Sequence, residues 1–150
     1  MVPLKHSIMK KLLLLLLAIL CVGITNAQKL PGKDVPSIVK SALKSKFPNA
    51  KQVKWEQEKE HYEASFKLNK KNYSVLIGTP GNILETEEEI KIENLPVKAK
   101  AYLAKNYAKQ KIKEAAKITD HKGMITYEAE IGGKDIIFDL QGNFLREVNA

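Results

Sequence analysis

The chain has 150 residues, 44% of them hydrophobic and 28% charged, with a formal net charge of +8 and a single cysteine. That length is enough for one domain with a sizeable core. Only Arg146 supplies a guanidinium, and lysines are interleaved with glutamates, as in Lys54-Trp55-Glu56-Gln57-Glu58-Lys59-Glu60, which argues against a basic nucleic-acid stripe.

The first residues read as an export leader. Lys10 and Lys11 precede an apolar run from Leu12 to Val22, and Thr25-Asn26-Ala27 supplies a cleavage site before Gln28. The run is shorter than the roughly 20 residues a spanning helix needs, so no integral span is expected after cleavage near Ala27. Met9-Lys10-Lys11 offers a second start site beside Met1. Cys21 follows Leu20, where a lipobox wants a small residue, so lipidation is not expected. Cleavage removes Lys5, Lys10, Lys11 and the only cysteine, which lowers the net charge from +8 to +5 and leaves no disulfide. The core alone must then hold the domain.

Gln28 to Asp34 reads as a short leader segment, and Val35, Ile38, Val39, Ala42, Leu43 and Phe47 recur at helical spacing. Asp34 is the expected N-cap and Pro36 suits the first turn. Phe47-Pro48 should end the helix, since the residue before proline is pushed out of the α region. The hydrophobic period then changes to two. A turn at Lys59-Glu60 sets Gln57 against Tyr62, Trp55 against Ala64 and Val53 against Phe66. A turn over Asn69 to Asn72 sets Leu68 against Tyr73, Phe66 against Val75 and Ala64 against Ile77. A turn at Thr79-Pro80-Gly81-Asn82 sets Ile77 against Leu84. These pairings place Val53, Trp55, Tyr62, Phe66, Val75, Ile77 and Leu84 on one face.

The unit then repeats. Lys91 to Asn94 is a linker, and Leu95, Ala99, Tyr102, Leu103 and Tyr107 repeat the apolar stripe sixty positions along. Tyr127-Glu128-Ala129 and Gly142-Asn143-Phe144-Leu145 repeat Tyr62-Glu63-Ala64 and Gly81-Asn82-Ile83-Leu84. Turns at Lys122-Gly123, Gly132-Gly133 and Leu140 to Asn143 pair Ile118 with Tyr127, Tyr127 with Phe138, Ala129 with Ile136, and Phe138 with Leu145. The expected fold is α+β. Two copies (35–90 and 95–150) of a helix plus a four-stranded antiparallel meander share one sheet, with both helices on one face.

The tandem unit, with Leu95-Pro96 before the helix, Trp55, Tyr62-Glu63-Ala64 and the Gly-Asn-x-Leu turns, resembles the PepSY-like family, also described as beta-lactamase-inhibitor-protein-like. The leader ending Asn26-Ala27-Gln28 resembles those of Bacteroidetes-type bacteria. The resemblance spans residues 35 to 150. It implies a periplasmic or secreted binding module, and the inhibitor proteins the family is named for hold a protein partner on a concave sheet face. The disulfides of the inhibitor proteins are missing here, and no inhibitory loop carries over residue by residue.

Nothing in the sequence assembles chemistry. His61 and His121 sit beside turns without metal-ligand spacing, and no nucleophile or phosphate-binding motif occurs. No enzyme activity and no cofactor or metal is therefore expected. Glu85-Thr86-Glu87-Glu88-Glu89 reads as a solvated edge strand, and Asp139 to Asn143 as a hairpin turn without the carboxylate a calcium loop needs. Alternation sends Lys54, Glu56, Glu63, Ser65, Lys67, Ser74, Glu128, Glu130, Asp135 and Arg146 to the face opposite the helices. Leu76, Ile83, Ile137 and Phe144 join them as a candidate partner-binding patch. The expected function is an exported, non-catalytic module, possible inhibitor included, that binds an unidentified protein, with a dimer mate as another way to cover the patch. The alternative is an envelope structural or small apolar-ligand-binding protein, which would need an enclosed pocket.

Overall fold

The computed structural model describes residues 28–149. The export leader, Cys21 and the cleavage site lie outside the described residues. Nine strands form one antiparallel sheet in chain order, so every strand pairs with its sequence neighbours. They are β1 (Gln28–Leu30), β2 (Lys51–Glu58), β3 (His61–Leu68), β4 (Lys71–Gly78), β5 (Ile83–Glu89), β6 (Ile112–Asp120), β7 (Ile125–Ile131), β8 (Lys134–Asp139) and β9 (Phe144–Asn149). Helix α1 (Ser37–Lys46) precedes β2 and α2 (Val97–Asn106) precedes β6. Among the described residues, no helix is long and apolar enough to cross a membrane.

Each helix seals its own half of the sheet. Val35, Val39 and Leu43 bury against Trp55, Ala64, Phe66, Val75 and Ile77. Leu95, Ala99 and Leu103 bury against Ala115, Ala129, Ile131, Ile136 and Phe138. The register carries both clusters on the same face, so the helices share one side. Trp55 is buried, as the alternation requires. Aromatic rings close the clusters. Phe47, Phe66 and Tyr73 form a triangle with centroids 5.1 to 5.6 Å apart, and Tyr102 stacks on Phe144 at 4.7 Å.

The helix starts depart from the sequence reading. Asp34 lies in a 3-10 turn (Gly32–Asp34) and caps nothing; the helix begins after Pro36, with no side-chain cap. Lys40 instead donates to the Gly32 carbonyl at 3.1 Å, and Lys100 to the Glu93 carbonyl at 2.8 Å, so each helix ties back to the turn before it. Gln28–Leu30 is no loose leader, because it pairs with β2 through Leu30 and Trp55.

The sheet register corrects several expected pairings. Gln57 meets Tyr62 and Trp55 meets Ala64 as expected; the register shifts between Lys51 and Lys54, where Gln52 takes a φ of 53° and Val53 packs on the first core cluster. The next turn is two residues, Asn69 and Lys70, both at positive φ (52° and 65°), so Phe66 meets Tyr73 and Ala64 meets Val75. That slip is two residues and keeps every side chain on its expected face. The loop after β6 runs differently. Thr119 meets Ile125 across a three-residue loop, so Lys117 faces Tyr127 and Ile118 moves to the opposite side, against Thr126. Tyr127 with Phe138 and Ala129 with Ile136 match expectation. The acidic run is not an edge. β5 is the middle strand, paired with β4 and β6, because one continuous sheet joins the two halves there.

Candidate functional site: the open sheet face

Two bulges decide what the open face carries. Ile77 pairs with Ile83 while Leu76 pairs with Glu85, so Leu84 is the extra residue. Phe138 pairs with Phe144 while Ile137 pairs with Arg146, so Leu145 is the extra residue. Both bulges turn the first apolar residue of the strand inward. Ile83 packs on the first core cluster and Phe144 lies on Tyr102 and Phe138. Ile83 and Phe144 therefore sit on the helix side, contrary to their expected placement. Leu84 and Leu145 lose their expected core-face pairings for the same reason. Leu76 and Ile137 keep the expected face, and Ile118 joins them.

The register lays the open face out in rows. One runs Glu63, Leu76, Glu85, Asp120. The next runs Ser65, Ser74, Glu87, Ile118, Thr126. A third runs Glu89, Ala116, Glu128, Ile137, Arg146, and a fourth Glu114, Glu130, Asp135, Val148. Apolar residues thus step across β4, β6 and β8 with carboxylates on both sides. Ile137 is only 4% exposed although neither α1 nor α2 lies on this face.

The carboxylates crowd one another. Burial, then repulsion from Asp135, Glu87, Glu85 and Glu114, pushes Glu128 up to about 8. Burial, then Glu85, Glu114, Glu63 and Asp135, pushes Glu87 up to about 7. Glu85 is raised by burial, which Arg146 opposes and Asp120 reinforces. Asp135 is raised by burial and by Glu130, against the pull of Lys113. Ser74 Oγ donates to Glu63 Oε1 at 2.6 Å, and Lys113 pairs with Glu130 at 2.6 Å. Glu58, Glu63, Ser74, Leu76, Glu85 and Glu87 line a recess of about 190 Å3. This face can accept cationic and apolar groups together. The run of glutamates was visible in the sequence; its place in the middle of the sheet, where burial raises the pKa values, was not.

Elsewhere the turns are built for structure. The Asp139 carboxylate accepts the Gln141 and Asn143 N–H groups at 2.9 and 2.8 Å and the Asn143 side-chain amide at 2.8 Å, which holds it below the usual carboxylate range. Asp120 accepts from the Lys122 and Met124 N–H groups in the same way. Among the described residues, no group of three or more His, Cys, Asp or Glu side chains is arranged to hold a metal ion. His61 lies at the start of β3, where its Nδ1 is buried without a protein partner.

Solved structures share this architecture. A DUF2874 family protein from Bacteroides uniformis superposes with a TM-score of 0.70 at 20% identity, covering 77% of this chain and 89% of its own. A "putative periplasmic" protein from Bacteroides eggerthii gives 0.71 at 20% identity, with 77% and 88% covered. A BLIP-like protein from Bacteroides fragilis gives 0.62 at 26% identity, with 81% and 88% covered. No curated protein matches. The family model described as "Putative beta-lactamase-inhibitor-like, PepSY-like" matches residues 24–85 and again 79–146, one match for each half of the sheet. The chain belongs to that PepSY-like, beta-lactamase-inhibitor-like family.

Proposed function

We propose that this is an exported, non-catalytic binding module that holds a protein partner on its open sheet face, in the manner of an inhibitor. The observation that carries it is a run of half-buried carboxylates, with Glu87 and Glu128 raised to about 7 and about 8, on a face that no element among the described residues covers. A partner bearing lysine or arginine would supply the missing counter-charge and return these groups to their ionised form. Leu76, Ile118 and Ile137 would seat its apolar side chains. The tandem unit, a helix with four strands, serves this by doubling the width of the face. The apolar leader before Gln28 and the likeness to a protein described as periplasmic support a periplasmic or secreted location.

The partner is found by affinity capture from the native envelope extract and then purified. Its affinity is measured for the wild type and for Leu76→Arg with Ile118→Arg, both checked for native circular dichroism. Binding by the wild type with a loss of about 2 kcal/mol or more in the variant supports the reading. Equal affinities contradict it. The alternative of an apolar-ligand carrier finds less support. A recess of about 480 Å3 at the β2–β4 end is open and sets Lys51, Gln52, Lys54, Ser65, Lys67 and Asn72 beside Phe66 and Tyr73, so it is not an enclosed apolar pocket.

A further inference from the structure

The two sides of the molecule carry opposite charge. α1 and α2 contain six lysines (Lys40, Lys44, Lys46, Lys98, Lys100, Lys105) and no acidic residue. The salt bridges found among the described residues, Lys71–Glu88, Lys113–Glu130 and Lys134–Glu147, all join strands. The helix lysines reach only neutral oxygens: Lys40 the Gly32 carbonyl, Lys100 the Glu93 carbonyl, and Lys98 the Asn143 side-chain oxygen at 3.1 Å. Among the described residues none of the six is in a salt bridge. The turns before the helices add no net charge, since exposed Lys33 and Lys91 stand there with exposed Asp34 and Glu93. Large aliphatic side chains stand beside the helix lysines, with Ile38 53% and Val97 79% exposed in the first turns of α1 and α2. The interleaving of lysine and glutamate along the strands hid this layer from a reading of overall charge.

We propose that the outer surface of the two helices docks the protein onto an anionic phospholipid bilayer. This does not depend on the partner assigned to the opposite face. The choice of lysine favours lipid over protein. Arginine is enriched and lysine depleted at the cores of protein interfaces, because the guanidinium makes fixed, paired contacts. The only arginine in the chain, Arg146, pairs with Ile137 on the other side of the sheet. A bilayer offers a diffuse negative potential that strongly hydrated ammonium groups meet without fixed geometry, at roughly a fivefold gain in partition for each lysine. Ile38 and Val97 would enter the headgroup boundary, as the apolar residues of interfacial helices do. The acidic sheet face would then be repelled from the surface and turned toward the aqueous phase.

The test uses protein purified from the periplasm of an expression host, with removal of the leader checked by mass. Vesicles of phosphatidylcholine with about 30% phosphatidylglycerol, and vesicles of phosphatidylcholine alone, are floated with it at low and high salt. Binding to the anionic vesicles alone, released by salt, is expected. Lys44→Glu with Lys46→Glu, and separately Lys98→Glu with Lys105→Glu, should each lower partition at least 25-fold, on the order of two fivefold steps. Both variants change exposed positions, and circular dichroism establishes that each is folded. Ile38→Ser with Val97→Ser should weaken binding while leaving its salt dependence in place. Equal partition to both vesicle types, or no loss in either lysine variant, overturns the proposal. So does salt-sensitive self-association without vesicles that the lysine variants abolish, since the helix layer would then meet the acidic face of a second copy.

Discussion

Gly142 offers a close test of how each turn is fitted to its helix. It sits at φ 82°, and a Cβ there would lie 2.7 Å from Pro96 Cβ and 2.9 Å from the Ala99 nitrogen. The turn between β8 and β9 is pressed against the first turn of α2, and the contacted atoms include backbone that cannot swing away. Gly123 has nearly the same backbone, φ 80°, with nothing within 4 Å of the added Cβ. Gly123→Ala therefore isolates the left-handed backbone cost, about 1 to 2 kcal/mol. Gly142→Ala adds an overpacking cost of about 1 to 3 kcal/mol. Urea unfolding of both variants should show a loss of unfolding free energy at least about 1 kcal/mol larger for Gly142→Ala, with similar slopes. Equal losses would refute the close fit of the turn to α2. Gly81→Ala should fall between them, because its tightest contact, 2.9 Å, is to the movable Ile38 side chain.

Phe66, buried against Phe47 and Tyr73, should cost about 3 to 5 kcal/mol when cut to alanine, read by urea denaturation. Stability should also depend on pH in a stated direction. Glu87 and Glu128 have folded-state pKa values above their unfolded ones, so the folded state binds more protons. Their contribution is complete below about pH 4.5, the ordinary glutamate value, and is lost as pH rises through about 7 and about 8. The melting temperature should therefore decline across that window, and Glu128→Gln should flatten the decline and stabilise the protein at pH 8.5. A variant that melts lower than wild type at pH 8.5 would contradict the assigned shift.

Much of the fold was legible because the pattern had few alternatives. The helical stripe of Val35, Val39 and Leu43 recurs as Leu95, Ala99 and Leu103 and fits one face only. The Gly132-Gly133 turn fixed Tyr127 against Phe138 without ambiguity. The bulges were not legible. Ile83-Leu84 and Phe144-Leu145 are each two apolar residues in a row, so either can fill the core and alternation does not choose. The structure chose the first of each pair, which removed Ile83 and Phe144 from the candidate patch and left Leu76 and Ile137. The three-residue loop at His121 to Gly123 changed parity again and brought Ile118 onto the open face. Edge and centre cannot be told from a strand's own composition. The Glu85–Glu89 run looked like an edge because it is acidic, yet it joins the two halves of one sheet.

The claim that a partner occupies the open face is tested most directly by methyl NMR of the isoleucine- and leucine-labelled protein, titrated with the captured and purified partner. Leu76, Ile118 and Ile137 should shift or broaden on binding, while Ile83 and Ile38, on the helix side, should stay in place. Shifts confined to Ile38 and Ile83, with Leu76, Ile118 and Ile137 unmoved, would contradict the account.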